Sequence, residues 1–354
     1  MTSLRMTNDD HIPFLQRVAS ELVASNKGIL AADESVGTID KRFQANAIEN
    51  NEENRRQYRT ALLSNPALAT YVSGVILHEE TVQQLDNSNS KLVDVLINNK
   101  VHPGCKVDKG LVPLTSGLPG EQVTSGLDGL PERCRAAKKA GCTFTKWRAA
   151  LQVEGGDDDR GLVRPSAQCV DAMANTLARY AAISQAEGLV PIVEPEVLMD
   201  GDHSAEAAAR ANEVVLSALF AAMHVHGVVM EGALLKCSMV TPGKSRGGGG
   251  VEHTDLVASL TVRTLMRTVP PAMPGVVFLS GGQTDDDAAR NLQAVRKCAV
   301  DARSPWKLTF SFGRALHNAA LAAWASKYLS GDVAGAIEAA HGALSQRAAA
   351  CAGS

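Results

Sequence analysis

The chain contains no CxxC pair, no run of about 18 apolar residues, no apolar core behind its first methionine and no basic block, and each absence removes a class of function. Seven cysteines, an odd number without zinc-ligand spacing, do not suit a disulfide framework and point to free thiols in a reducing compartment. The opening MTSLRMTNDDHIPF has no signal-peptide core and the closing ACAGS has no lipidation or peroxisomal address, so the expected location is the cytoplasm. No membrane span is expected. The 35 basic and 38 acidic residues are dispersed and give a formal charge of −3, so neither nucleic acid nor an acidic membrane surface is an expected partner. Small anionic substrates would have to be met by individually placed cations.

What is present is an alternation. Short β-rich apolar runs stand at KGILAAD (27–33), YVSGVILH (71–78), HPGCKVD (102–108), TFTKWRA (143–149), LVPIVEPE (189–196), VVMEGALLK (228–236), GVVFLSGG (275–282) and KLTFSFG (307–313). Helical patterns lie between them, including ENRRQYRTALLS, DAMANTLARYAAISQA, the alanine-rich stretch after Ser204 and one capped by Thr284 with Asp287 three residues on. Eight β-then-α units in 354 residues with 45% hydrophobic content predict one domain, residues 1–354: a (β/α)8 TIM barrel with a short N-terminal helix and a C-terminal helical tail.

In such a barrel the carboxyl ends of the strands form the active site. Here they carry Asp33, Lys106 with Asp108, Lys146 with Arg148, Glu194 with Glu196, Lys236, Ser280-Gly281-Gly282 and Gly313-Arg314. Residues two apart on a strand share a face, so Lys146 and Arg148 point one way and Trp147 the other, and Glu194 pairs with Glu196 across Pro195.

Lys236 stands out because it ends an apolar run where an amine is not expected. It is either a lysine snorkelling off a strand end or a Schiff-base nucleophile, for which burial or a neighbouring cation such as Lys146 favours the reactive neutral amine. Asp33 and Glu194 are the carboxylates for proton transfer around an iminium. The glycines at 281 and 313, after strands seven and eight, suit backbone contacts to a phosphate. The three aspartates at 285–287 argue against placing that anion on the helix that follows them.

The strings GILAADES, ENRRQYR, KVDKG, GLDGL, FTKWR, ARYA, VPIVEPE, DGDH, LLK, MVTPG, RTVPPA, FLSGGQ and FSFGRAL, in this order from about residue 13 to about residue 325, resemble class I fructose-1,6-bisphosphate aldolase of the eukaryotic type. The resemblance implies a metal-free lyase that cleaves fructose 1,6-bisphosphate to glycerone phosphate and glyceraldehyde 3-phosphate in glycolysis and gluconeogenesis. By resemblance Lys236 forms the imine, Glu194 is the acid/base for its formation, Asp33 takes the proton that starts cleavage, and Lys146 stabilises charge, with Glu196 and Arg148 supporting. The C1-phosphate site maps onto Ser280, Gly281, Gly282, Gly313 and Arg314, and the C6-phosphate site onto Ser35, Thr38, Arg42 and Lys106, with Lys41 adjacent.

The resemblance further implies sugar phosphates as small-molecule partners, a homotetramer, no cofactor, and actin binding as a second property. Sedoheptulose 1,7-bisphosphate or fructose 1-phosphate as substrate, and a non-catalytic actin-binding scaffold, are the rival readings. Departures from the pattern are Cys237 where proline is frequent, Phe312 in place of the motif's tyrosine, and the acidic segment EGGDDDR (154–160). SRGGGG (245–250) reads as a pliable, solvated loop beside the site. No tyrosine follows Tyr328, so either another group or water performs the proton transfer that a terminal tyrosine performs in many members, or that step is slow, or the natural C-terminus differs from the one in this sequence. PGKS (242–245) lacks the earlier glycine of a P-loop, and HxH at 224–226 places its rings on different helix faces, so neither is read as a site.

Overall fold

A computed structural model of the chain describes residues 9–155 and 162–353. Eight strands are β1 (Gly28–Ala32), β2 (Val72–Leu77), β3 (His102–Lys106), β4 (Phe144–Leu151), β5 (Val190–Val197), β6 (Leu234–Cys237), β7 (Gly275–Phe278) and β8 (Lys307–Phe312). All pair in parallel and in sequence order, and β8 closes back on β1. The predicted (β/α)8 barrel is the observed architecture.

Alternation along the strands builds two cores. Inward residues Ile29, Ala31, Ile76, Phe144, Val190, Ile192, Leu234 and Val277 join Leu15, Val18, Ala19 and Leu22 of the helix Ile12–Leu22, which therefore stoppers the amino end of the barrel. Outward residues such as Leu30, Val75, Trp147, Val193, Leu235, Cys237, Phe278 and Phe312 pack under the helical ring. Trp147 is fully buried against Tyr180, with ring centroids 5.3 Å apart. Phe144 occupies room that β3 beside it and β2 beyond that leave as glycine. A Cβ on Gly104 would collide with its ring, and one on Gly74 would come within 3.1 Å of it and 2.5 Å of Leu22 Cδ2.

The helices start where their caps are. Ser204 accepts from Ala207 N and opens Ala205–Val225, and Thr284 accepts from Asp287 N and opens Asp285–Asp301. The helix expected from Asp171 starts earlier, at Ala167, because Ser166 caps it. The final helix, Val333–Ala352, lies along Arg314–Tyr328, and Arg296 Nη1 donates to the carbonyls of Cys351 and Ala352 at its end.

Two sequence expectations need correction. The run 228–236 is a strand only from Leu234, since Met230–Gly232 is a 3-10 turn clamped by Gln185, whose Nε2 donates to the carbonyls of Val229 (2.8 Å) and Gly232 (3.1 Å). The 245–250 segment is only partly solvated. Ser245 to Gly247 are exposed, but Gly248 and Gly249 are buried, and Asn291 Nδ2 donates to the Gly249 carbonyl at 2.7 Å. In the acidic segment, Glu154–Gly155 pairs antiparallel with Leu162–Arg164, and 156–160 lie outside the described residues.

Candidate active site

The same inward register that is apolar in the lower barrel turns charged near the carboxyl ends. On β4 Phe144 gives way to Lys146 and Arg148, on β5 Ile192 to Glu194 and Glu196, and on β6 Leu234 to Lys236, while Asp33 follows Ala31 at the end of β1. Each strand thus spends its first inward positions on packing and its last on charge.

Lys146 Nζ sits 2.7 Å from Asp33 Oδ2 and 2.9 Å from Glu194 Oε2, and the other Glu194 oxygen, Oε1, is 3.2 Å from Lys236 Nζ. Glu194 therefore bridges the two amines. Lys236 and Lys146 are buried, with side chains each 4% exposed. Burial alone would raise the Asp33 and Glu194 carboxyls, but Lys146 and Lys236 outweigh it and hold both below the usual range. For Lys146 burial pulls down while Asp33 and Glu194 push up, and the carboxylates win. Lys146, the cation expected beside Lys236, is joined to it through Glu194, so its charge is shared with two carboxylates, one of them also in contact with Lys236.

Outside this cluster, Arg148 Nε donates to Glu196 Oε2 at 2.5 Å, and Lys106 Nζ lies 3.1 Å from Asp108 Oδ1. Ser35 stands at the first position before the helix Val36–Gln44, and its hydroxyl shares a 3.0 Å hydrogen bond with the Thr38 hydroxyl instead of capping a backbone N–H. A cavity of about 660 Å³ takes in Asp33, Ser35, Thr38, Lys41, Arg42, Lys106, Lys146, Arg148, Glu194, Glu196, Lys236, Ser280, Gly281, Gly313 and Arg314. Gly313 immediately precedes the helix Arg314–Tyr328, whose first turn has no acidic residue, while the neighbouring helix from Asp285 begins with three aspartates. The positive φ of Gly281 (56°) turns the 280–282 segment at the cavity edge.

One expected residue is not brought in. Gly282 does not line the cavity, and a Cβ there would lie 3.1 Å from Met199 Cε. Cys237 packs in the outer core and not toward Lys236. Sequence reasoning also missed two polar side chains of the lining. Ser311 is an inward residue of β8 whose buried hydroxyl has no hydrogen-bond partner among the described residues, and the alternation that located Lys146 would have located it. Glu34 is the other, and nothing local in the sequence distinguishes it from a solvated strand-end carboxylate.

Comparison with known proteins matches residues 14–353 to the family described as Fructose-bisphosphate aldolase class-I. The chain is 49% identical over 313 residues to Fructose-bisphosphate aldolase 2 of Caenorhabditis elegans, covering 88% of this chain and 82% of that one. It is 48% identical to the cytosolic Fructose-bisphosphate aldolase 5 of Arabidopsis thaliana, covering 88% and 84%. The fructose-bisphosphate aldolase of Plasmodium falciparum, solved in complex with TRAP and a small-molecule inhibitor, superposes with a TM-score of 0.88 at 45% identity, covering 98% of this chain and 95% of that one.

Proposed function

This chain belongs to the class-I fructose-bisphosphate aldolase family and is a lyase of glycolysis, and from that premise we propose that Lys236 carries the imine through which it cleaves fructose 1,6-bisphosphate. The observation that supports this most directly is the buried chain Lys236, Glu194, Lys146, Asp33, joined by contacts of 3.2, 2.9 and 2.7 Å.

Transfer of one proton from Lys236 Nζ to Glu194 Oε1 leaves a neutral amine and a carboxylic acid. The amine attacks the C2 ketone of the open-chain sugar, and the acid protonates the departing hydroxyl, which leaves as water and gives the protonated imine. Asp33 then takes the C4 hydroxyl proton, the C3–C4 bond breaks, and its electron pair forms the C2=C3 double bond while the imine π pair moves onto nitrogen. Glyceraldehyde 3-phosphate is released and an enamine remains. Protonation at C3 and addition of water release glycerone phosphate and restore the lysine. Lys146, between Asp33 and Glu194, stabilises negative charge as it shifts between them.

Ser280, Gly281, Gly282, Gly313 and Arg314 hold the phosphate near C1 in this reading, with Gly282 acting from behind the lining. Ser35, Thr38, Arg42 and Lys106 hold the distal phosphate, with Arg148 and Glu196 between. The same reading makes the protein a cytoplasmic homotetramer, and among the described residues no helix is long and apolar enough to cross a membrane.

The test is borohydride reduction in the presence of glycerone phosphate followed by peptide mapping. A stable adduct should form on Lys236 and be lost in Lys236→Ala. An adduct on another residue, or normal turnover with none trapped, refutes the assignment. Specificity constants on fructose 1,6-bisphosphate, sedoheptulose 1,7-bisphosphate and fructose 1-phosphate should rank the first highest.

A further inference from the structure

The cavity mouth holds a carboxylate that the proposed reaction leaves idle. Glu34 follows Asp33 but points away from Lys146, into a nest of donors. Its Oε1 accepts from Arg42 Nη1 at 2.5 Å and lies 3.0 Å from His317 Nε2, and its Oε2 accepts from Arg59 Nη2 at 2.6 Å. Arg59 and His317 are buried, and the Tyr58 hydroxyl is 3.2 Å from His317 Nδ1. Burial alone would raise the Glu34 carboxyl, but Arg59, His317 and Arg42 together hold it well below the usual range. Burial pulls the His317 pKa down against the pull of Glu34. With the ring proton on Nε2, that N–H can donate to Glu34 Oε1 or to the Ala31 carbonyl at 3.2 Å, and Nδ1 can accept from the Tyr58 hydroxyl or from Arg42 Nη1 at 3.0 Å.

The charge balance decides what this nest does. Three of its members come from distant elements: Arg59 from the helix Glu52–Leu63, Arg42 from Val36–Gln44 and His317 from Arg314–Tyr328. A lone carboxylate beside Arg42 would repel an incoming phosphate. With Arg59 behind it, Glu34 is neutralised from within, and Arg42 keeps its positive charge on the cavity wall beside Ser35, Thr38 and Lys106. Fixing Nη1 on a buried anchor leaves the remaining N–H groups of a planar guanidinium at a set angle to the cavity. Arg42 Nη1 also lies 3.0 Å from Nδ1 and Nε2 of His317, so Glu34 is the charged member of a two-residue anchor, and retracting or neutralising its carboxylate leaves a long side chain held by the imidazole alone.

We propose that Glu34, braced by Arg59, is a positioning residue that fixes the Arg42 guanidinium and thereby sets the preference for sugars bearing a second phosphate far from the reacting ketone. The inference rests on the assignment of Arg42 to the distal phosphate. Glu34 touches no reacting atom.

Two variants test it. Glu34→Asp keeps the charge but draws the carboxylate back by one methylene. The double variant Glu34→Gln with Arg59→Met removes both buried charges together, avoiding the unpaired Arg59 that a single change would leave. Specificity constants are measured on fructose 1,6-bisphosphate and on fructose 1-phosphate, which lacks the distal group. The bisphosphate-to-monophosphate ratio should fall about tenfold in both variants, since a misplaced positioning group of this kind costs one to two orders of magnitude. The loss should lie in KM for the bisphosphate, with kcat on fructose 1-phosphate within about threefold of the parent. Borohydride trapping with glycerone phosphate should be undiminished.

An unchanged ratio in the folded variants, or an equal loss on both sugars, overturns the inference. Failure of the parent itself to give an adduct on Lys236 would refute the imine assignment alone, and the ratio would still decide the role of Glu34.

Discussion

Replacing Lys146 with methionine perturbs the electrostatic centre of the site while keeping most of the side-chain volume. Its amine faces Asp33 at 2.7 Å and Glu194 at 2.9 Å, with all three side chains at most 11% exposed. At an effective dielectric of about 20, each contact carries roughly 6 kcal/mol of gross attraction, most of which offsets the cost of taking the charges out of water. Deleting the amine alone removes the attraction and leaves both carboxylates buried, a change expected to cost about 3–5 kcal/mol. At about 2 °C per kcal/mol for a chain of this size, the melting midpoint should drop by roughly 6–10 °C. Turnover should fall by about 10²–10³, the usual effect of removing one fixed electrostatic group from a reacting centre.

The pH dependence of that deficit has a definite sign. In the parent, Asp33 and Glu194 have folded-state pKa values below those of the unfolded chain. Their contribution is therefore present above the unfolded values of about 4 and is lost as the pH falls through the lowered ones. In Lys146→Met burial is opposed chiefly by Lys236, so the folded values rise and the contribution shrinks. Lys146, whose own pKa is raised, loses its contribution only in strongly alkaline solution. The stability gap should accordingly hold level from pH 7 down to about pH 4 and narrow below that, as the pH falls through the lowered values of the parent. Thermal unfolding followed by circular dichroism across that range, beside kcat/KM at pH 7.5, measures all three quantities. A midpoint within 2 °C of the parent, or a gap that does not vary with pH, would refute the reasoning.

Two further substitutions probe the support of the site and the packing beneath it. Arg148→Lys removes the Nε donor that Glu196 accepts at 2.5 Å, and KM for fructose 1,6-bisphosphate should rise about tenfold with kcat within threefold; steady-state kinetics showing no change in KM would count against a binding role for this pair. Gly104→Ala drives a methyl into the Phe144 ring and should cost about 1–3 kcal/mol in urea denaturation, with Phe144→Leu added to the same chain recovering part of the loss; a Gly104→Ala protein as stable as the parent would contradict the packing described here.

The residues whose meaning depends on alternation were legible in the sequence. Lys146 with Arg148 and Glu194 with Glu196 could be assigned to one face because a strand repeats every two residues, and the barrel follows from counting the strands. The extent of β6 was not legible, because the turn at Met230–Gly232 is imposed by Gln185, more than 40 residues earlier, and by the stopper helix: a Cβ at Gly232 would lie 2.8 Å from Leu15 Cβ. Local apolar character cannot report a clamp of that kind.

Glu34 escaped detection for a related reason. Alternation places it opposite Asp33, on the side where a strand-end carboxylate ordinarily meets water, and only tertiary folding brings Arg59 and His317 to it. The two adjacent acids illustrate the general point. Both are buried carboxylates held by cations, yet Asp33 is met by an amine projecting from the barrel interior and Glu34 by guanidinium groups from the helical ring. Under the proposed mechanism, one strand end divides its charge between the reacting centre and the scaffold that aims the cavity rim. A substitution at either position should therefore be read by which step it slows: carbon–carbon cleavage for Asp33, and recognition of the remote phosphate for Glu34.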